Sequence, residues 1–139
     1  TILFFLSYAE AATGNTDRAT ALAGQALRLS PKDRWIGVGH LALAMSAFIE
    51  GDLPRLREWA ELAIQSHPTA PIRRVLMIVY AAEVGDRALL QLHLEKLQSF
   101  APDFLPSLRR GDFRLFSRPD HVAQLLGSLA KAEPASRAV

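Results

Sequence analysis

GDLPRLREWAELAIQSHP (residues 51–68) opens on glycine, closes on proline, and is matched in length by GNTDRATALAGQALRLSP (14–31), with which it shares few interior residues. A third stretch repeats the frame, from Gly85 to Pro102. Gly14 to Pro31, Gly51 to Pro68 and Gly85 to Pro102 are each 17 residues apart, and each glycine is followed by Asn or Asp. Punctuation held at a fixed distance while the interior drifts indicates turns that demand particular residues and elements that demand only a pattern. Glycine after an apolar run supplies the left-handed backbone of a helix C-cap, the Asp or Asn behind it caps the next helix, and proline cannot continue the helix it follows. Gly14 to Gly51 spans 37 residues and Gly51 to Gly85 spans 34. The difference is close to one helical turn of about 3.6 residues, an insertion that helices absorb cheaply.

The spacers read as helices of two kinds. WIGVGHLALAMSAFI (35–49) and IRRVLMIVYAAEV (72–84) are apolar nearly all round, whereas RLREWAELAIQ (55–65) places its apolar residues at i, i+3, i+4. Each unit is therefore helix, tight turn, helix, with the first helix buried and the second half exposed. A period of 34 with paired helices is that of tetratricopeptide repeats. The expected fold is all-α: a tetratricopeptide-like helical-hairpin solenoid of about three repeats (1–31, 32–68, 69–102). A capping segment (103–132) closes this single domain of residues 1–132, and 133–139 form a disordered tail. With each closing proline at position 32 of the repeat, the small-residue packing positions hold Ser7, Ala19 and Ala26, then Ala44, Leu56 and Ala63. The third unit has Ile78, Leu90 and Leu97 there, which predicts a looser or differently angled pair. SRPDHVAQLLGSLAKA (117–132), with Pro in its first turn and Val122, Leu125, Leu126 and Leu129 at helical spacing, predicts a closing helix over the last apolar face.

Composition is consistent with one globular domain. Of 139 residues, 50% are hydrophobic and 22% charged, too apolar for a disordered chain. Cysteine is absent, which removes disulfides and thiolate metal sites and fits a cytoplasmic setting. The net charge of +2 is scattered, weak grounds for nucleic acid. The opening TILFFLSYAEAA has an apolar run too short for a membrane span and no charged flank for a signal peptide. Beginning inside an apolar helical pattern, it reads as cut from something longer.

A narrower resemblance rests on LSPKD (29–33), on Trp59-Ala60, and on the ending PDF…RR…F.RPDHVAQLLGSLAKA (102–132). Residues 27–132 resemble the C-terminal tetratricopeptide region of bacterial class III adenylate/guanylate cyclases. Arg118-Pro119 stands where members often have an Asp-Pro pair. The resemblance implies a cyclase domain upstream, with metal-binding aspartates on a ferredoxin-like sheet, in a signalling protein. No family catalytic residue maps onto these positions.

Nothing in the motifs points to an enzyme or a cofactor. The histidines, His40, His67, His93 and His121, form no i, i+4 pair, and no nucleophile elbow or phosphate loop is present. His40 reads as a hydrogen-bonded packing residue and Arg73-Arg74 as a solvated pair. The informative surface is the groove that the first helices would line, with Phe4, Tyr8, Val38, Leu41, Met45, Phe48, Ile49, Ile72, Val75 and Val79. Such an oily wall needs cover. Three covers are open: the chain's own segment 104–118, a second copy, or a partner's amphipathic helix. The expected role is a non-catalytic protein-interaction, regulatory or dimerisation module with a protein partner or self-association through that groove, and no membrane contact. The alternative is a transcription-regulatory or nucleic-acid-binding domain using Arg109, Arg110, Arg114 and Arg118, whose run interleaves Phe113 and Phe116. In the structural reading of that run the two phenylalanines plug the end of the stack and the arginines stay solvated.

Overall fold

A computed structural model describes the backbone from Thr1 to Ala138 and side chains through Glu133. Among the described residues all regular structure is helical: α1 (Ile2–Ala12), α2 (Thr16–Leu29), α3 (Ile36–Glu50), α4 (Leu53–Ser66), α5 (Pro71–Val84), α6 (Arg87–Phe100), α7 (Phe104–Arg110) and α8 (Pro119–Ala138). The tight turns pair α1 with α2, α3 with α4 and α5 with α6, and each hairpin packs on the next.

The turns have the chemistry read from the dipeptides. Gly51 and Gly85 adopt φ of 73°, the left-handed region open to a residue without Cβ. Asp52 and Asp86 behind them accept hydrogen bonds from the Arg55 and Leu89 amides at 3.2 and 3.0 Å. The backbone N–H of Asn15, Asp52 and Asp86 each reaches the carbonyl five residues earlier, which satisfies helix-end acceptors. Asn15 differs in its side chain, which donates to Glu10 Oε2 at 2.8 Å instead of capping α2. Pro31, Pro68 and Pro102 each lie two residues past the last helical residue.

Ser7, Ala19 and Ala26, Ala44, Leu56 and Ala63, and Ile78, Leu90 and Leu97 are all buried. Ser7 Oγ also donates to the Ala19 carbonyl at 2.7 Å, tying α1 to α2. With the larger residues of the third set between them, α5 and α6 pack less intimately than the two earlier pairs. One core cluster runs from Ala11 to Ala132.

Three expectations need correction. Arg73 and Arg74 are buried, not solvated. Arg73 donates to the Ala63 carbonyl at 2.7 Å and Arg74 to the Pro68 carbonyl at 2.8 Å, so they satisfy acceptors left over at the end of α4 and just beyond it. The segment after Pro102 holds a further helix, α7, which ends at Gly111 in the same left-handed cap, with the Asp112 amide reaching the Ser107 carbonyl. Residues 133–138, expected as a disordered tail, continue α8 in this structure, and Val139 lies outside the described residues.

Candidate functional site

The ten residues expected to line an open groove do not lie bare. Phe4, Leu41, Met45, Phe48, Val75 and Val79 are buried, and Tyr8, Val38, Ile49 and Ile72 are half-buried. Phe4 turns into the seam between α1 and α3, where a Cβ on Gly39 would stand 2.5 Å from its ring. That glycine is what lets the two helices close over an aromatic side chain. Phe4 is closed off by α3, and Phe48 meets Phe116 of the chain's own later segment, one of the three covers the sequence left open.

Over Phe48 the cover is the segment of Leu115 and Phe116 followed by α8, which packs chiefly on α5 and α6. Phe116, 1% exposed, stacks on Phe48 with ring centroids 5.9 Å apart and meets the edge of His121 at 6.0 Å. Leu115, Leu125, Leu129 and Ala132 complete the apolar contact. Polar anchors run along one line of helix ends. The Ser117 amide donates to the Ala12 carbonyl at 2.9 Å, Gln124 Nε2 to the Phe48 carbonyl at 2.8 Å, and Ser128 Oγ to Glu83 Oε1 at 2.7 Å. Lys131 Nζ donates to the other Glu83 oxygen at 2.8 Å. α8 thus packs on α5 and α6 and reaches the C-terminal ends of α3 and α5, where the Phe48 carbonyl and the Glu83 carboxylate accept its hydrogen bonds. The Lys131 hydrogen bond, with help from Ser128, holds the Glu83 carboxyl below its ordinary range against the opposing effect of burial.

At the α1–α2 turn, Gly14 has φ of 93°, and a Cβ there would come within 2.7 Å of His121 Cε1. His121 therefore seats the start of α8 on that turn. Farther along, Phe48, Glu83, Gln124, Ser128 and Lys131 border an open cleft of about 400 Å³ under the cover.

The arginine-rich end is solvated: Arg109, Arg110, Arg114 and Arg118 are all exposed. Arg110 is ion-paired with Asp112 at 3.0 Å and Arg118 with Asp120 at 2.8 Å, so these charges are partly neutralised by their neighbours. Phe116 plugs the stack as expected, while Phe113 stays 39% exposed against Phe104.

A buried polar pair escaped sequence reasoning. Arg74 Nη1 donates to His93 Nδ1 at 3.1 Å, and the guanidinium lies 6.0 Å from the Phe100 ring centroid. Burial first, then the Arg74 charge, push His93 down to about 4, so the ring is neutral at pH 7. His40 stacks on Trp59 at 5.6 Å. Its Nδ1 has no hydrogen-bond partner among the described residues, so the bond expected of a packing histidine is not made at that atom. Among the described residues no cluster of metal-ligating side chains occurs, and no helix is long and apolar enough to cross a membrane. No family model, curated protein or solved structure matches the chain.

Proposed function

We propose that this chain is a tetratricopeptide-like solenoid of three helical hairpins and a closing helix, serving as a non-catalytic protein-interaction or regulatory module. In this reading it forms the C-terminal part of a cytoplasmic class III nucleotide cyclase, where it positions or regulates domains carried elsewhere in that protein. The observation that supports it is the seating of α8. The end of α3 takes Phe116, and α5 and α6 take the closing helix through Leu125 and Leu129, with a few side-chain hydrogen bonds assisting. That is the recognition mode by which a groove takes a partner's helix, here met within one chain. Nucleic-acid binding draws less support, since Asp112 and Asp120 sit on Arg110 and Arg118.

The test separates the wall from its cover without deleting either. A protease site placed within 112–117 and then cut leaves α8 held by non-covalent contacts alone. The cut halves are expected to co-elute, and a synthetic 112–133 peptide should exchange with the bound helix. A stack that unfolds on cutting and never rebinds the peptide would mean that α8 is an inseparable part of the core.

A further inference from the structure

The start of α3 and the junction of α4 with α5 border a cavity of about 180 Å³. Its charged lining is of one sign. Arg34, His67 and Arg73 face it together with Ser66, and no acidic side chain does. Trp35 and Val38 form the apolar side, and all of these residues lie between positions 34 and 73, well inside the chain.

Arg73 is the member that the fold leaves unexplained. It is 8% exposed, yet among the described residues no carboxylate pairs with it. Burial lowers its pKa from the ordinary arginine value, and no neighbouring charge counters that. A buried charge without a counter-charge is costly unless other groups compensate it. The hydrogen bond to the Ala63 carbonyl at 2.7 Å uses one of five N–H donors. Arg74, equally buried, differs, because its guanidinium is taken up by Pro68, His93 and Phe100.

Gly37 brings a second positive feature to the same place. A Cβ there would stand 2.6 Å from Ser66 Cβ and 2.7 Å from Arg73 Nη1, so the missing side chain is what lets the first turn of α3 close onto them. α3 starts without a side-chain cap, and its first amides carry the positive end of a 15-residue helix. Asp33, the acidic residue nearest in sequence, is turned to other donors. Its Oδ1 accepts from the Trp35 amide at 2.7 Å and its Oδ2 from Thr1 Oγ1 at 2.9 Å.

We propose that this cavity binds a phosphoryl dianion, either inorganic phosphate or the head of a small phosphate monoester. Arg73 supplies a guanidinium already held in place by its Ala63 bond, so little freedom is lost on binding. Arg34, whose guanidinium rests 5.1 Å from the Trp35 ring centroid, and His67 stand exposed at the rim and add donors. Two guanidiniums beside a helix N-terminus match a double charge better than a single one, which selects phosphate over carboxylate. Size sets the limit, since the space is close to the ~150 Å³ that holds one ring and below the roughly 300–1,000 Å³ of drug-sized ligand pockets. The anion therefore carries few attached atoms, and those lie against Trp35 and Val38. This cavity is separate from the wall under α8, so the proposal can fail while the reading of that wall stands.

The experiment titrates the chain with inorganic phosphate, phenyl phosphate and benzoate at constant ionic strength, while backbone amide resonances are followed by NMR. Both phosphates should give saturable shifts centred on Gly37, Val38 and His67, and benzoate should bind at least tenfold more weakly. Equal affinity for the two makes the free ion sufficient, and tighter phenyl phosphate makes the monoester the ligand; either result supports the proposal. Arg34→Glu, at an exposed position, should weaken phosphate binding at least tenfold with unchanged circular dichroism, and Arg87→Glu, the same charge change on α6, should leave it intact. Phosphate should raise the melting temperature of the parent but not that of Arg73→Gln. Absence of saturable shifts at tens of millimolar phosphate, benzoate binding as tightly as phosphate, or equal losses from Arg34→Glu and Arg87→Glu overturns the proposal.

Discussion

Replacing Phe116 by Ala should loosen the C-terminal cover while the helical stack beneath it holds. The ring is 1% exposed and packed between Phe48 and His121. Truncating a buried Phe to Ala costs about 3–5 kcal/mol, from lost transfer energy plus the cavity left behind. The polar anchors at Ala12, Phe48 and Glu83 remain, but each contributes only about 1 kcal/mol. At about 1.4 kcal/mol per tenfold, the cover should open at least a hundredfold more often. Native-state hydrogen exchange reads this directly: protection of amides in 119–132 should fall by that factor, and that of α3 and α4 amides by much less, because their mutual packing is untouched. Phe113→Ala supplies the control. It is the same residue type three positions away, but 39% exposed, and it should cost under ~1 kcal/mol. If Phe116→Ala costs as little as Phe113→Ala, or lowers protection evenly along the chain, the cover is not a separately seated element.

Gly14→Ala should destabilise more than Gly51→Ala in urea unfolding. Both carry the left-handed backbone cost of about 1–2 kcal/mol, but only at Gly14 would the new methyl strike His121, whereas Gly51 faces open space. Equal losses would mean that His121 is not seated on that turn. Stability should also fall as pH drops from about 6.5 towards 4. In the unfolded chain His93 takes up its proton near 6.5, but in the folded chain burial and Arg74 delay it to about 4. The unfolded state therefore binds more protons across that window, which removes up to ~1.4 kcal/mol per pH unit. His40, lowered mainly by burial and then by Arg73, acts in the same direction. Thermal melts of His93→Gln, whose side-chain oxygen can still accept from Arg74, should show a shallower pH slope than the parent, and an unchanged slope would remove His93 from the account.

Much of the helical framework was readable because the signals are local. Gly-Asp pairs and the closing prolines act within a few residues of themselves, and α3 to α6 lie where that punctuation puts them. Helix α7 was missed although Gly111-Asp112 carries the same turn signal, because a seven-residue helix leaves too little periodicity to register. The candidate groove was legible as an apolar wall but not as a closed one. Arg73 and Arg74 misled for a related reason: two adjacent charges look like surface until the carbonyls of Ala63 and Pro68 arrive from another helix.

The amino-acid sequence by itself determined the paired helices and the turns between them, and which side of each is apolar, since capping and periodicity are properties of short stretches. Tertiary structure alone decided which residues far apart in the chain meet and what each apolar face packs against. Gln124 meets Phe48 across 76 residues of chain and Ser117 meets Ala12 across 105. No local pattern carries contacts at such distances, and they are what seats the closing segment on the ends of α1 and α3.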